Sequence, residues 1–176
     1  MLTKLKTMLR HLWLDVSDAE RAIPPDMLER LTQQVAASEA RHSGEIRIYV
    51  EAALPISYLR RLDSRTSMVQ LVRQRATMIF SKLRVWDTAH NNGVLIYLQL
   101  AEQAIEIVAD RGLHERMASD VWDPVVAQMS AHFKQGKFEL GLTDALAEVS
   151  ALLVAHFPQT PDAATTNELP DKPLLN

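Results

Sequence analysis

The sequence lacks cysteine altogether and has only five glycines among its 176 residues. Without cysteine there are no disulfides, no thiolate nucleophile and no cysteine-bound zinc or iron–sulfur cluster, a composition that fits a reducing compartment. Neither a Walker-type phosphate loop nor a Gly-x-Ser-x-Gly nucleophile elbow occurs. These absences remove the usual support for redox chemistry, nucleoside triphosphate hydrolysis and serine hydrolysis.

Long apolar runs are also lacking. The longest begins at Gly93 and is interrupted from Gln99 onward, well short of the roughly 20 apolar residues that cross a bilayer. In residues 2–13, charges and apolar side chains interleave without the continuous apolar segment of a signal peptide. We therefore expect no transmembrane helix, no secretory signal and a cytoplasmic location.

The chain has no excess of positive charge, since 19 basic residues face 22 acidic ones and the formal net charge is −3. No global field attracts a polyanion. The arginines between residues 60 and 75 are most simply the solvated face of a helix and the loop before it. We expect no nucleic-acid partner, and we expect a protein partner instead.

Hydrophobic residues make up 47% of the chain, enough to bury the core of one domain. We divide the sequence into an amphipathic N-terminal segment (1–16), an α/β domain (17–158) and an irregular C-terminal tail (159–176). Apolar spacing and turn residues predict helices after Pro24, between a Ser64 cap and residue 83, after Gly112 with a restart near Pro124, and over 138–155, with strands at 45–51, 94–98 and 105–108.

The order of these elements predicts an α/β fold, a three-layer α/β/α sandwich with a small mixed β-sheet. The long helical connection makes the first two strands parallel, because such crossovers are right-handed. The short link near residue 102 permits only a hairpin, so the third strand runs antiparallel to the second. Segments 42–44, 87–92 and 110–112 then meet at one edge of the sheet.

That edge carries oxygen-bearing side chains. Asp87 and Asp110 supply carboxylates, while Asn91 and Asn92 supply amide oxygens, a combination suited to Ca2+ or Mg2+. The same residues also suit purely structural work, because Asn-Asn-Gly is ordinary turn chemistry and an aspartate before a helix is a common cap.

An anion site is the second hypothesis for the same edge. Arg111, Gly112 and the N–H groups of the following helix favour negative charge there, and His42 and His90 are candidates to join them. Alternatively, Arg111 pairs with Asp87 and binds no ligand.

The N-terminal segment has an apolar helical face and a charged one. The apolar face carries Leu2, Leu5, Met8, Leu9 and Leu12, whereas Lys4, Lys6 and Arg10 lie mostly on the other. Such a helix either docks on the domain or makes a peripheral membrane contact.

Three motifs, in order, carry a family resemblance: Glu-Ala-Arg-His-Ser-Gly-Glu-Ile at 39–46, Asn-Gly-Val-Leu-Ile at 92–96 and Ile-Glu-Ile-Val-Ala-Asp-Arg-Gly-Leu at 105–113. With Pro124 and Gly141 they resemble the TPM domain family, which includes thylakoid acid phosphatase-like and photosystem-repair-like proteins, and here a cytoplasmic bacterial branch. The similarity covers roughly residues 26–157.

The resemblance implies an α/β/α sandwich and, in some relatives, acid-phosphatase activity, calcium binding or a role in membrane-protein assembly. The chain departs from the family where relatives often have Asp-Asn-Gly, since Asn91 stands there, and where they have Gly-aromatic-Gly, since Asp110-Arg111-Gly112 stands there. No complete catalytic set is present in the sequence. Our leading hypothesis is therefore a non-enzymatic binding or assembly module, and the alternative is a divalent-metal-dependent phosphomonoester hydrolase.

Overall fold

The computed structural model describes residues 2–63, 65–117, 121–159 and 167–176. Ser64, the predicted helix cap, lies outside them. The elements in chain order are α1 (Leu2–Trp13), α2 (Val16–Ala22), α3 (Pro25–Glu39), β1 (Ile46–Glu51), α4 (Ile56–Leu59), α5 (Met68–Lys82), β2 (Val94–Gln99), β3 (Ala104–Ala109), α6 (Arg111–His114), α7 (Asp123–Lys134), α8 (Phe138–His156) and β4 (Leu174–Leu175).

The strands form one mixed sheet in the order β3-β2-β1-β4. β1 and β2 are parallel, with Ile46 opposite Val94, and β2 and β3 are antiparallel, with Val94 opposite Ala109. These pairings confirm the predicted crossover and hairpin. They also put the start of β2 and the end of β3 at the same edge.

Both faces of the sheet are covered by helices. Successive side chains of a strand point to opposite sides, so each strand contributes to two buried clusters. Ile46, Ile48 and Val50 pack into one buried cluster with residues of α3, α7 and α8. Tyr49 and Tyr97 pack into a second cluster, which contains the buried side of α5. The α/β/α sandwich is therefore confirmed.

Local hydrogen bonds explain where α5 begins. The Ser67 hydroxyl accepts from the Gln70 backbone N–H at 3.3 Å, and the Gln70 side-chain oxygen accepts from the Ser67 N–H at 2.8 Å. This reciprocal capping box makes Ser67 the cap, three residues after the predicted Ser64, and the helix begins at Met68. The prediction that Arg75 lies on the solvated face of this helix is wrong: the residue is 9% exposed and paired with Glu51.

Two further expectations differ from the structure. The helix expected after Gly112 is only the four-residue α6. The restart expected near Pro124 is confirmed, since α7 begins at Asp123 with Pro124 in its first turn. The tail expected to be irregular contains β4, in which Leu174 lies opposite Tyr49. Among the helices of the described ranges, none has both the length and the apolarity needed to cross a bilayer.

Candidate functional site

The three predicted segments meet at the sheet edge through hydrogen bonds. The Asp110 N–H donates to the Gly93 carbonyl at 2.9 Å, which joins the end of β3 to the start of β2. The Asn92 amide donates to the Ser43 hydroxyl at 3.2 Å, which joins the loop before β2 to the loop before β1. The loop before β2 therefore connects the other two segments.

Asn92 is fully buried, and a residue that we did not predict holds it. The Thr88 hydroxyl accepts from the Asn92 backbone N–H at 3.1 Å and lies 3.4 Å from its side-chain oxygen. A threonine four residues before an asparagine carries no motif in the sequence. Asn92 thus orders the loop, and its amide is engaged by Thr88 and Ser43.

Gly112 permits a close backbone approach at this edge. A Cβ atom there would lie 2.6 Å from the Asn91 carbonyl oxygen and 2.9 Å from that of His90. Real Cβ atoms do not come so near to backbone oxygens. The Gly112 N–H also donates to the Asn91 carbonyl at 2.9 Å, so the start of α6 is clamped against the loop.

Asp110 has one oxygen satisfied and one without a partner. Its Oδ1 accepts from the Arg111 N–H at 2.7 Å. Its Oδ2 is buried and makes no hydrogen bond, a situation shared in the described part of the chain only by the Nδ1 atom of His132. Buried carboxylate oxygens usually have a partner, so this atom is an exception at the predicted edge.

Arg111, the residue after Asp110, is bonded to Asn91. The Arg111 Nε and Nη2 atoms donate to the Asn91 side-chain oxygen at 3.0 and 2.7 Å. Asn91 has a φ of 52°, a left-handed conformation that asparagine tolerates better than most residues. The Arg111 guanidinium is therefore already bonded to the Asn91 side-chain oxygen, which we predicted as a metal ligand.

The first N–H groups of α6 all have acceptors inside the protein. Arg111 donates to Asp110 Oδ1, Gly112 donates to the Asn91 carbonyl, and Leu113 donates to the Asp110 carbonyl at 3.1 Å. The helix end therefore offers these donors to its own loop rather than to an outside anion.

Asp87 and His90 are exposed on the same loop. The Asp87 Oδ2 atom lies 3.9 Å from Arg84 Nη1.

His42 is instead 1% exposed. Its Nδ1 donates to the Gly44 carbonyl at 3.0 Å, so its Nε2 accepts from the Ser38 hydroxyl at 2.9 Å in the neutral ring. His42 thus lies in the interior with both ring nitrogens occupied.

Burial lowers the pKa of His42 to about 4, which keeps the ring neutral near pH 7. A serine hydrogen-bonded to a neutral histidine has the geometry of a nucleophile and its base. Ser38 is 2% exposed, however, so no substrate reaches this pair.

Within the described ranges, no three His, Asp or Glu side chains come together closely enough to hold a metal ion. A cation at Asp110 would therefore also need backbone carbonyl, amide or water oxygens. Ca2+ and Mg2+ accept such mixed oxygen ligands.

The C-terminal tail reaches the same region. The Glu168 carboxylate accepts from the Ala89 N–H at 3.0 Å, and the Leu169 N–H donates to Glu45 Oε2 at 3.0 Å. Burial raises the pKa of Glu45, and backbone donors at the tail oppose that rise. The tail is thus tied to the loop before β2, which contains Asn92, and to the loop before β1.

Comparison with known proteins agrees with this architecture. A search of curated proteins finds no match. A solved structure, the NMR structure of BA42 protein from the psychrophilic bacterium Bizionia argentinensis, is 27% identical in sequence with a TM-score of 0.71, and the match covers 86% of this chain and 94% of that one. The family model of the TPM domain matches residues 16–152, which is most of the chain. This chain therefore belongs to the TPM domain family.

Proposed function

We propose that the chain is a non-enzymatic binding module that takes a divalent cation, Ca2+ or Mg2+, at the Asp110 edge. The observation that carries the proposal is the buried, unpartnered Oδ2 atom of Asp110. Burying a carboxylate oxygen without a partner is costly, and a bound cation removes that cost.

The surroundings of Asp110 support an oxygen-ligand site. Without a side chain, Gly112 lets the His90 and Asn91 carbonyls approach the start of α6. Carbonyl and carboxylate oxygens are the ligands that hard cations prefer. Asp87 is exposed on the loop that contains His90 and Asn91, and it is the second carboxylate that we predicted as a metal ligand.

The side chains around the edge favour binding over catalysis. The Ser43 hydroxyl accepts from the Asn92 amide, and the one serine–histidine pair described above is sealed inside. General acid–base catalysis needs a titrating group within reach of the substrate, and the buried His42 does not meet that need. We keep a cytoplasmic location and a protein partner as parts of this proposal.

The test is a two-dimensional amide NMR titration with Ca2+, then Mg2+, then phosphate. We expect saturable shifts confined to residues 87–93 and 110–113 with a cation. Asp110→Asn keeps the cap but removes the charge and should abolish the shifts, whereas Asp26→Asn, an exposed carboxylate on α3, should not change them. No shift at millimolar Ca2+ or Mg2+, or equal shifts in Asp110→Asn, would refute the cation site.

A phosphomonoester hydrolase is the second candidate, and one contact favours it. The exposed Arg111 guanidinium is held by two bonds to Asn91, and a guanidinium one residue after a metal-binding Asp110 would suit a phosphate bound to that metal. Turnover of a generic phosphomonoester with Ca2+, Mg2+ or Mn2+, lost in both Asp110→Asn and Arg111→Gln, would establish it. No turnover beside an active relative would leave the binding module.

A further inference from the structure

Helix α1 is held to the domain by one face. His11 is 4% exposed; its Nδ1 accepts from the Leu54 N–H at 3.0 Å, and its Nε2 donates to Glu102 at 2.9 Å. Lys4 donates to the Leu62 carbonyl, and Met8 packs against the second buried cluster. The helix is therefore docked along the segment from Leu54 to Leu62.

A second face of this helix is apolar and exposed to solvent. Trp13 is 83% exposed, and Leu5, Leu9 and Leu12 are 47–59% exposed. We call this surface the α1 stripe; it consists of these four residues. A helix that only docks on its domain normally presents polar residues to solvent. Contiguous exposed apolar residues mark an interaction surface.

Positive charge borders the stripe at its N-terminal end. Lys6 is exposed, and the bond from Lys4 to the Leu62 carbonyl holds the loop after α4 beside the helix. That loop carries exposed Arg60, Arg61 and Arg65, and Asp63 is its one carboxylate. Farther along, the Arg10 guanidinium is paired with Glu102. The local surface is thus basic although the whole chain is acidic.

Carboxylates border the other end, and each is engaged except Glu20, which is exposed on α2. Asp15 accepts from the Ser17 N–H at 2.8 Å, and Asp18 pairs with Arg21. Among the described residues, the unpaired positive charge next to the stripe is therefore concentrated at one end, at Lys6 and at the arginines of the loop after α4.

We propose that the α1 stripe binds the surface of an anionic lipid bilayer, with α1 lying in the interfacial plane. Leucines and a tryptophan beside basic residues are the composition of interfacial helices, in which the apolar face enters the acyl boundary and cations meet lipid phosphates. Tryptophan prefers this boundary because its ring is apolar and its N–H remains near water. The proposal does not depend on the Asp110 site.

Flotation with vesicles of phosphatidylcholine, with and without phosphatidylglycerol, tests it on the full chain. The variant Leu9→Gln/Leu12→Gln/Trp13→Gln changes only exposed side chains, so its fold should persist. We expect binding to the phosphatidylglycerol vesicles to weaken about tenfold or more, since most of the apolar contact is lost. The control Val69→Gln/Leu140→Gln also removes exposed apolar side chains, from α5 and α8, and should bind like wild type.

Two further measurements identify the binding mode. With Trp86 and Trp122 replaced by Phe, Trp13 emission should shift to the blue on phosphatidylglycerol vesicles. Lys6→Gln/Arg60→Gln and added salt should each weaken binding. Equal flotation of the stripe variant and the control would overturn the proposal. So would absence of vesicle binding together with a dimer in light scattering that the stripe variant abolishes, because a second copy would then cover the stripe.

Discussion

The carboxylate of Glu51 is bonded to the guanidinium of Arg75 inside the protein. Arg75 Nε lies 2.9 and 3.1 Å from the two carboxylate oxygens, and the Tyr97 hydroxyl donates to one of them at 2.6 Å. Glu51 ends β1 and is fully buried. The pair links β1 and α5 beneath the second cluster, and its charges are satisfied by each other and by Tyr97.

Removing one partner of this pair should cost far more than removing both. Glu51→Gln or Arg75→Met leaves one buried charge uncompensated, for which we expect a loss of about 3–5 kcal/mol in the free energy of unfolding. The double variant should recover part of that loss. Urea unfolding at pH 7 measures all three, and additive losses in the double variant would contradict the coupling.

Arg75 also shows why part of the fold was predictable and part was not. The apolar spacing of α5 and the alternation of β1 are local, so both elements followed from the sequence. The partner of Arg75 lies 24 residues away in the chain, and an arginine among polar neighbours has the pattern of a solvated face. Only the packing of α5 on the sheet shows that it is buried.

Gly112→Ala should damage the candidate site. The new methyl would meet the Asn91 and His90 carbonyl oxygens at 2.6 and 2.9 Å, so the loop must move. We expect a loss of about 2 kcal/mol or more in stability and no saturable shifts with Ca2+. Gly136→Ala is the control. Gly136 has a φ of 71°, and no described atom beyond its chain neighbours lies within 4 Å of the position of the new methyl. The substitution should therefore lower stability by about 1 kcal/mol and leave the titration unchanged. Wild-type titration behaviour in Gly112→Ala would refute the role of this approach.

His42 should make the protein less stable in acid. Burial lowers the pKa of His42 to about 4 in the folded protein, whereas the unfolded value is about 6.5. Between these values the unfolded chain binds more protons, so the stabilisation is complete above about pH 6.5 and falls as pH drops towards 4, by about 3 kcal/mol in all. Ring proton shifts measured by NMR should show a midpoint near 4, and a midpoint near 6.5 would refute this.

Glu39 should make the protein less stable at alkaline pH. Burial raises its pKa to about 8, and the nearby Glu45 and Asp171 add to the rise against the hydrogen bond from the Ile46 N–H. The folded protein therefore holds a proton that the unfolded chain has lost, and stability falls as pH rises from about 4.5 to 8.

The variant Glu39→Gln isolates that effect, because an amide oxygen still accepts from Ile46. We expect it to be at least about 1 kcal/mol more stable than wild type at pH 9 and to lose this advantage near pH 5. The measurement is urea unfolding at both pH values. The same advantage at both would show that the carboxyl does not titrate in this range.

At the candidate site, the sequence indicated which segments converge, because strand order alone determines that. It did not indicate that Arg111 bonds to Asn91, that Thr88 holds Asn92 or that His42 is internal, since these depend on side-chain packing. The tail was the largest omission. Its polar composition predicted irregular structure, yet the Asn176 N–H donates to the Val50 carbonyl at 2.9 Å beside β1.

Two leucines of this tail test whether it is part of the folded domain. Leu169 is 9% exposed and packs in the second buried cluster, whereas Leu174 is 37% exposed on β4. We expect Leu169→Ala to lower the free energy of unfolding by about 2 kcal/mol, and Leu174→Ala to change it by less than about 0.5 kcal/mol. Because both substitutions remove the same atoms from the same segment, their difference reports burial alone. Equal, small effects in urea unfolding would mean that the tail leaves the domain in solution, and the contacts of Glu168 and Leu169 at the candidate edge would then be lost with it.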